Sequence, residues 1–304
     1  MTINIGLSSD YFIENQTKTE FRDNSSWVIL SSIEQSIKRK IEEIGTPLKD
    51  WDVNIYRGIL TGYNEAFIIS GEKRTELLAA CETEKERIRT DELIRPIRGR
   101  DIKRYNYEFA DLWLINTHNG VKDKGVSRIK IDDYPSIKMH LDKYWDNISV
   151  RADKGDTPYN LRNCAYMDDF NKQKIVWKII GNQMAFAIDY NGYIVNNACY
   201  ILTGQNLKFL LAVLNSKAIK WYSYITNMNK TGVGDVQVGG QNVNLFPIPN
   251  LTDKEQEPFT ELIDQILIKK RQDKNILDLE QKIENLVYAM YGIITEEIKV
   301  IESS

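Results

Sequence analysis

The sequence predicts an α+β fold in which a body of mixed strands and helices is followed by a C-terminal helical hairpin. Short strand and helix patterns alternate between residues 51 and 249, without an internal repeat or a low-complexity segment. An amphipathic helix pattern precedes this body, and residues 251–304 repeat apolar side chains at the spacing of packed helices. The chain accordingly divides into a connector (residues 1–49), a body (50–250) and a helical spacer or docking segment (251–304).

The connector is predicted to contain one helix. Residues 1–30 are mostly polar and fit the end of a preceding segment. Ile33, Ile37, Ile41 and Ile44 then follow at spacings of four, four and three, with lysines and glutamates between them. Gly45-Thr46-Pro47 stops this pattern. We expect the helix to pack through its isoleucine face.

Local periodicity indicates the elements of the body. Residues 53–55, 67–69, 174–180 and 184–189 have the composition of strands, whereas residues 134–145 and 207–214 carry helical apolar stripes that favour core packing. Asn191-Gly192 supplies the positive φ angles of a tight turn before another strand pattern at residues 193–202. The sequence therefore predicts a hairpin at this dipeptide.

The tail carries two apolar stripes that are out of phase. Phe259, Leu262 and Ile266 form the first, and a second runs from Ile276 to Met290. Because the two phases differ, the chain either turns within residues 269–275 or makes a stutter. Gly292 is predicted to end the second helix, with a short last helix beginning near Thr295.

The composition argues against several kinds of site. The three cysteines lie far apart and form no CxxC pair, and the two histidines do not have the spacing of metal ligands, so neither a disulfide framework nor a zinc site is indicated. No apolar run is long enough for a membrane span, and the N-terminus lacks the pattern of a secretory signal. We therefore expect a cytoplasmic protein without a membrane partner.

Charge is unevenly distributed along the chain. The formal net charge is −3, yet residues 87–104 contain seven bases and three acids, whereas residues 251–302 contain seven bases and twelve acids. Affinity for nucleic-acid phosphates is mostly electrostatic and depends on the charge of the surface that meets them. The distribution of charge along the chain is therefore more informative than the net charge. A basic body with an acidic tail is consistent with a nucleic-acid partner for the body.

Two segments set glycine among polar side chains, at Tyr56–Phe67 and Leu93–Tyr105. Gly58, Gly62 and Gly99 allow sharp backbone turns that leave neighbouring side chains free to project toward a partner. Guanidinium groups match guanine edges and phosphates, and asparagine pairs with adenine. The alternative is structural, with the arginines in a buried ion network and the turn residues serving the scaffold.

Enzymatic signals are weak by comparison. Asp101-Ile102-Lys103 and Glu297-Ile298-Lys299 each spell half of a metal-dependent nuclease site, but the chain has no Pro-Asp pair to complete one. It also lacks GxGxxG, a Walker loop, GxSxG and Asn-Pro-Pro-Tyr. The glycine-rich residues 231–240 lack a phosphate-binding lysine, and we interpret them as a mobile loop that orders against DNA or stays free.

Four motifs occur in the order found in one family: Gly58-x-x-Thr-Gly-Tyr-Asn-Glu-Ala-Phe67, Arg98-Gly-Arg-Asp-Ile-Lys-Arg-Tyr105, Leu214-Asn-Ser-Lys217 and Pro247-Ile-Pro249. Over roughly residues 50–250 the chain resembles TaqI-like C-terminal specificity (target-recognition) domains of type IIG restriction-modification enzymes and related adenine-specific DNA methyltransferases. The tail also resembles the helices that follow such domains and those of type I specificity subunits.

The resemblance implies a module that binds double-stranded DNA and chooses its sequence for flanking domains, which flip out and methylate adenine or cut the DNA. Those methyltransferase or nuclease domains would belong to the same polypeptide or to another subunit. S-adenosylmethionine and magnesium are expected for them alone, with no cofactor, metal or catalytic residue in this chain. A metal-dependent nuclease and a helical protein-docking adaptor remain the alternatives.

Motif residues shared by proteins that read different sequences cannot specify one sequence, so they hold the scaffold or grip phosphates. Base readers are expected in the individual stretches 118–128 and 151–162. The candidate DNA-binding residues from motifs and stretches together are Arg57, Thr61, Tyr63, Asn64, Arg98, Arg100, Lys103, Arg104, Arg128, Arg151 and Lys178.

Overall fold

The computed structural model describes residues 30–99, 102–226 and 236–303, with the side chain of Arg98 excepted. The predictions for residues 1–29, for Arg100 and Asp101, and for residues 231–235 of the glycine-rich loop lie outside these residues. The described helices are α1 (Ser32–Ile44), α2 (Asn64–Phe67), α3 (Gly71–Ala79), α4 (Glu84–Leu93), α5 (Pro135–Asp142), α6 (Trp145–Ile148), α7 (Leu207–Leu214), α8 (Lys217–Thr226), α9 (Gly240–Val243), α10 (Asp253–Arg271), α11 (Leu277–Met290) and α12 (Thr295–Glu302).

Helices and strands are mixed along the chain, which confirms the predicted α+β class. The described strands are β1 (Thr46–Pro47), β2 (Val53–Arg57), β3 (Ile68–Ser70), β4 (Ile94–Arg98), β5 (Leu112–Ile115), β6 (Lys174–Lys178), β7 (Ile180–Gly181), β8 (Phe186–Asp189), β9 (Ile194–Val195), β10 (Cys199–Gly204), β11 (Val236–Gln237) and β12 (Pro247–Ile248).

A four-stranded antiparallel sheet in the order β2-β10-β6-β8 lies at the centre of the molecule. Successive residues of β6 point to opposite faces, and both faces are covered. Ile175 and Trp177 join a core with the C-terminal helices, whereas Val176 joins the core of a second sheet. Burial on both faces explains why this strand is apolar throughout instead of alternating.

The second sheet has the order β3-β5-β4-β9 and packs with α3, α4 and α5. Its strands are antiparallel except for β4 and β9, which run parallel and pair Ile97 with Ile194. The strand predicted over residues 67–69 begins one residue later than expected. Phe67 ends the short helix α2, and the strand begins only at Ile68.

The helix predicted in the connector is confirmed as α1. Ser31 and Glu34 form a capping box at its start, and Ile37 and Ile41 are fully buried. Glu297 of α12 accepts hydrogen bonds from Ser36 at 2.8 Å and from Lys40 at 2.7 Å. The connector helix therefore packs into the same layer as the tail.

The tail turns between α10 and α11, so the structure confirms the first of the two predicted alternatives, a turn, over the second, a stutter within one helix. Asp273 adopts a left-handed φ of +50° in this turn, and Gly292 (φ +62°) ends α11 as predicted. The ring of Phe259 packs edge-on against Phe209 of α7, with 5.2 Å between ring centroids. Within the described ranges, no helix is both long and apolar enough to cross a bilayer.

The hairpin predicted at Asn191-Gly192 is wrong. Gly192 turns with a φ of +70°, but the chain then leaves the central sheet to form β9 in the second one. The side chain of Asp189 causes this change of direction, because it accepts the backbone N–H groups of Asn191 and Tyr193 at 2.8 and 3.0 Å. The hairpin of this region is instead β6–β8, which pairs Trp177 with Phe186.

Candidate nucleic-acid interface

The two glycine motifs meet at one turn beside β9. A Cβ on Gly58 would collide with the carbonyl oxygen of Asn196, and a Cβ on Gly99 would lie 2.6 Å from the Asn196 side-chain nitrogen. Arg57 donates from Nε to the carbonyl oxygen of Asn197 at 2.9 Å, and its side chain is otherwise exposed. Glycine is required at position 58 because a side chain there would meet backbone atoms, whereas at position 99 the Asn196 side chain would have to move. The arginine-bearing bends are thus placed together at one edge of the second sheet.

The turn after Gly58 is held from inside the fold. Gly62 has a φ of +71°, and a Cβ there would lie 2.9 Å from the carbonyl oxygen of Asp153. Thr61 is buried and donates from Oγ1 to the exposed Asn64 at 2.6 Å. The half-buried Tyr63 donates to Glu65 at 2.7 Å, and this hydrogen bond raises the pKa of the tyrosine. Thr61 therefore serves the scaffold of the turn.

Arg151 is buried, with only 6% of its surface exposed. Its guanidinium donates to the carbonyl oxygens of Thr61, Pro158 (3.0 Å) and Asn160 (2.6 Å). Its central carbon lies 4.3 Å from the centroid of the Phe67 ring. Burial lowers the pKa of Arg151 to about 10, so the group stays charged at neutral pH. Arg151 joins the glycine turn to residues 153–160 from below the surface.

Asn160 holds a second loop in the same way. It is 1% exposed and donates from Nδ2 to the carbonyl oxygen of Ile129 at 2.9 Å. The Thr117 hydroxyl donates to the carbonyl oxygen of Tyr159 at 2.6 Å, and the Leu161 N–H to the carbonyl of Thr117 at 2.8 Å. We call residues 117–130 and 151–163, which these bonds join, the two-loop surface.

The two-loop surface presents basic side chains to solvent, and several of them are paired with aspartates. Arg128 lies 3.3 Å from Asp156, and Arg162 lies 3.3 Å from Asp153. Asn119 crosses between the loops, with its side-chain nitrogen 3.0 Å from Asp156 and its oxygen accepting the Asp156 N–H at 2.8 Å. The remaining exposed bases of this surface are Lys122, Lys124, Lys130 and Lys154.

Tyr166 connects the two-loop surface to the Asn196 turn. Its ring stacks on Tyr56 at 4.4 Å, and its hydroxyl donates to the carbonyl oxygen of Arg57 at 2.9 Å. Burial raises the pKa of Tyr166 to about 12, and the charges of Arg162 and Arg57 both act on its hydroxyl. Arg57 and Arg162 therefore both lie near Tyr166, where the Asn196 turn meets the two-loop surface.

Arg104 lies at a different place, where the body meets the tail. It pairs with Glu280 at 3.1 Å and donates to the carbonyl oxygen of Asn215 at 2.8 Å. The side chain of Asn215 in turn binds both the N–H and the carbonyl of Phe186, at 3.0 and 2.9 Å. Glu284 accepts the backbone N–H of Lys217 with both carboxylate oxygens, at 3.1 and 3.0 Å. We call Arg104, Asn215, Glu280 and Glu284 the tail junction.

The other candidates are scattered. Lys103 is exposed and pairs with Glu108 at 2.6 Å, and Lys178 is half-buried at the end of β6. Arg98 contributes its backbone to β4, and its side chain lies outside what the structure describes, as does Arg100. Residues 118–128 and 151–162 come together as one surface, whereas Arg104 and Lys103 are not part of it.

The nuclease half-motif in the tail is used for packing. Glu297 is 2% exposed, and it is held by Ser36 and Lys40 of α1. In residues 30–99, 102–226 and 236–303, no group of three or more Cys, His, Asp or Glu side chains is arranged to hold a metal ion. Glu297 therefore makes a structural contact between α12 and α1.

Comparison with known proteins gives the family. The profile of the TaqI-like C-terminal specificity domain matches residues 95–248, about half of the chain. The chain belongs to this family. It is a DNA sequence-recognition module, as the resemblance predicted, and the nuclease and adaptor alternatives are not favoured. The two-loop surface lies inside the matched range, whereas Arg57 lies outside it.

Two curated relatives and one solved structure are similar to this specificity domain. The type II methyltransferase M.MjaIV of Methanocaldococcus jannaschii is 24% identical over 246 residues, which cover 76% of each chain. The type II methyltransferase M.BanIII of Aneurinibacillus aneurinilyticus is 23% identical over 191 residues, 59% of this chain and 32% of that protein. The type IIL restriction-modification enzyme MmeI, solved with DNA, aligns with a TM-score of 0.61 at 13% identity, over 85% of this chain and 36% of its own.

The MmeI alignment shows a shared fold. The specificity domain spans about a third of the length of M.BanIII and of MmeI. Sequence reasoning missed Asn119 and Asn160 as organisers of the surface, and it missed the aspartates that pair with the basic side chains. Asn160 reaches a carbonyl 31 residues away and Asn119 a carboxylate 37 residues away, so no local spacing marks either side chain. A Cβ on Gly155 would lie 2.5 Å from the side-chain oxygen of Asn119, so a glycine at position 155 accompanies this contact.

Proposed function

We propose that the two-loop surface reads base edges of double-stranded DNA, with Arg57 and the neighbouring bends placed along the phosphates. The observation that carries the proposal is the pair of buried supports, Arg151 and Asn160, below a rim of exposed polar side chains. A recognition surface needs side chains held within a fraction of an ångström by locked partners. Irregular loops alone lack this rigidity, and here two buried residues supply it.

The chemistry of the rim suits the major groove. The exposed Arg128 and Arg162 match guanine O6 and N7. Asn163 is also exposed, and its amide could pair with adenine if DNA displaces the hydrogen bond that its side-chain oxygen accepts from Asn119 at 2.5 Å. Arg57, Lys122 and Lys130 are exposed and suit phosphate contacts, which position a protein without reading sequence. The proposal leaves out Thr61 and Arg151, because their polar groups already serve internal hydrogen bonds.

We further propose that the domain serves an adenine-N6 methyltransferase, with or without a nuclease, in the same polypeptide or in a partner subunit. The type II methyltransferase relatives and the restriction-modification neighbour support this assignment. S-adenosylmethionine and magnesium would belong to those domains, since this chain lacks the Asn-Pro-Pro-Tyr motif of adenine methyltransferases. Action on cellular or phage DNA fits the cytoplasmic location expected from the sequence.

Sequence selection from a random duplex library tests the proposal. The chain is incubated with the library at 100–150 mM salt, and the retained DNA is sequenced. We expect one short motif to be enriched, and Arg128→Gln or Arg162→Gln to relax single positions of it, because each bidentate contact contributes about 1 to 3 kcal/mol of discrimination. Retention without an enriched motif would contradict the proposed function.

Lys269→Gln in the tail is the matched control for these variants. It also removes one partly exposed base from an ion pair, at a site on the C-terminal helices. Its selected motif should equal that of the unmodified chain. An identical change in all three variants would mean that charge alone, and not the two-loop surface, determines selection.

A further inference from the structure

Basic side chains on the two-loop surface face aspartates in the free protein. The three pairs are Arg128 with Asp156, Arg162 with Asp153, and Lys124 with Asp168 at 2.5 Å. The third aspartate comes from just beyond the second loop. Each pair joins different stretches of chain or opposite ends of a loop, so none is a by-product of helical spacing.

These pairs contribute little to stability. Their side chains are between 36% and 66% exposed, and water screens the attraction between such charges. By contrast, the buried Arg151 and Asn160 already fix the shape of the surface. These three ion pairs are therefore not needed to build the loops. Asp156 also accepts a hydrogen bond from Asn119 across the loops, but an amide oxygen at this position can accept the same bond. A different role accounts for the negative charges.

The aspartates change what DNA meets at this surface. An arginine that already faces a carboxylate presents almost no net charge to a phosphate, and the carboxylate itself repels the backbone. Hydrogen bonding from Asn119, together with the charge of Arg128, holds the pKa of Asp156 below its usual range, and Lys124 does the same for Asp168. Both carboxylates therefore stay ionised at neutral pH.

We propose that Asp153, Asp156 and Asp168 are specificity-determining residues that mask the bases of the two-loop surface against non-specific DNA. Every duplex must displace the carboxylates, whatever its sequence. Only a duplex with matching base edges offers new hydrogen bonds that offset this cost. The masking raises the ratio of specific to non-specific affinity by weakening the non-specific term. This inference rests on the proposed function, because masking has meaning only for a domain that selects a sequence.

Neutralising the aspartates tests the inference. We expect the triple variant D153N/D156N/D168N to bind a mixed-sequence duplex about ten-fold or more tightly at 100 mM salt. Its plot of log affinity against log salt should steepen by up to about 0.9 for each released base. Affinity for the selected sequence should rise less, so that the specificity ratio falls. Fluorescence anisotropy titrations at several salt concentrations measure all three quantities.

A second triple variant, D264N/D278N/E302Q, is the matched control. It removes the same charge from exposed ion pairs with Lys208, Lys269 and Lys217 on the helical side of the molecule. We expect its affinity and salt dependence to equal those of the unmodified chain. An equal gain in both triple variants would overturn the masking role, because net charge alone would then explain the effect.

The double variant R128Q/D156N shows whether a particular released base carries the gain. D156N alone should bind the mixed duplex several-fold more tightly, and adding R128Q should abolish that gain. A gain that survives the loss of Arg128 overturns the inference. Thermal unfolding of every variant accompanies the titrations, and the single variants give the same test if the triple variant unfolds.

The two proposals fail in different ways. If the unmodified chain selects one sequence and D153N/D156N/D168N binds mixed DNA no better than the control, masking is wrong and the proposed function stands. If the unmodified chain enriches no sequence at all, the proposed function is wrong and the masking role falls with it.

Discussion

At the two-loop surface, Arg128 and Arg162 are exposed and each faces a single aspartate, whereas at the tail junction Arg104 is bound by Glu280 and by the carbonyl of Asn215. Arginine side chains can thus leave their partners easily at the two-loop surface, whereas the arginine at the tail junction is held in place. The difference lies in the partners: exposed ion pairs in water exchange easily, while bonds among half-buried groups do not. Arginine content alone therefore does not locate a DNA-binding face.

Substitution of Arg151, the buried support of the two-loop surface, is expected to have the largest effect on stability. Arg151→Ala leaves several carbonyl oxygens without a donor and opens a cavity beside Phe67, so we expect the free energy of unfolding to fall by about 3 to 5 kcal/mol. Urea denaturation measures this change. A loss below about 1 kcal/mol would mean that the loops keep their shape without Arg151.

A smaller effect is expected at the tail junction, where burial raises the pKa of Glu284 from its ordinary value of 4.5 to about 7. The folded state therefore holds a proton that the unfolded state has released, and this group costs stability as pH rises from 4.5 through 7. The cost reaches at most about 3 kcal/mol above pH 7, at 1.36 kcal/mol for each unit. We expect the free energy of unfolding of Glu284→Gln, relative to that of the unmodified chain, to be higher at pH 8 than at pH 5.

Thermal unfolding of both proteins across this pH range checks the Glu284 prediction. Glu302→Gln is a suitable control, because its carboxylate pairs with Lys217 in the same region but is more exposed. A difference between the unmodified chain and Glu284→Gln that does not change with pH would show that Glu284 is ionised without penalty in the folded protein.

The smallest of the three effects separates Arg104 from Arg128. Arg104→Gln should lower the free energy of unfolding by about 1 to 2 kcal/mol, because it loses charged hydrogen bonds at the tail junction. It should leave the salt dependence of DNA binding unchanged. Arg128→Gln should do the opposite, with a shallower salt slope and almost no loss of stability. Paired titrations and denaturation curves compare them, and a shallower slope for Arg104→Gln would place that residue on the DNA.

Several parts of the fold were predictable because their signals are local. The isoleucine spacing of α1, the phase break between α10 and α11, and Gly292 at the end of α11 each follow from a few neighbouring residues. The hairpin at Asn191-Gly192 failed for the opposite reason. A turn dipeptide predicts that the chain bends, but Asp189, fixed by the buried Lys174, determines where the chain goes.

The candidate site was predictable as two stretches and not as a surface. The sequence predicts base readers in residues 118–128 and 151–162, and the structure joins these two stretches through Asn160. The roles of Thr61, Arg151 and Arg104 within the fold depend on carbonyl and carboxylate groups that lie far away in sequence. Their assignment to DNA contact stays a prediction, and the salt titration of Arg104→Gln tests it for Arg104.

By itself, the sequence determined the class of fold, the amphipathic helices and the family, because periodicity and motif order are carried by residues close together in the chain. Only the tertiary structure decided which arginines are exposed on the two-loop surface, which are fixed at the tail junction, and which support a loop from within. The physical reason is that the free energy of a charged group depends on its burial and its partners, and both are set by contacts between distant segments.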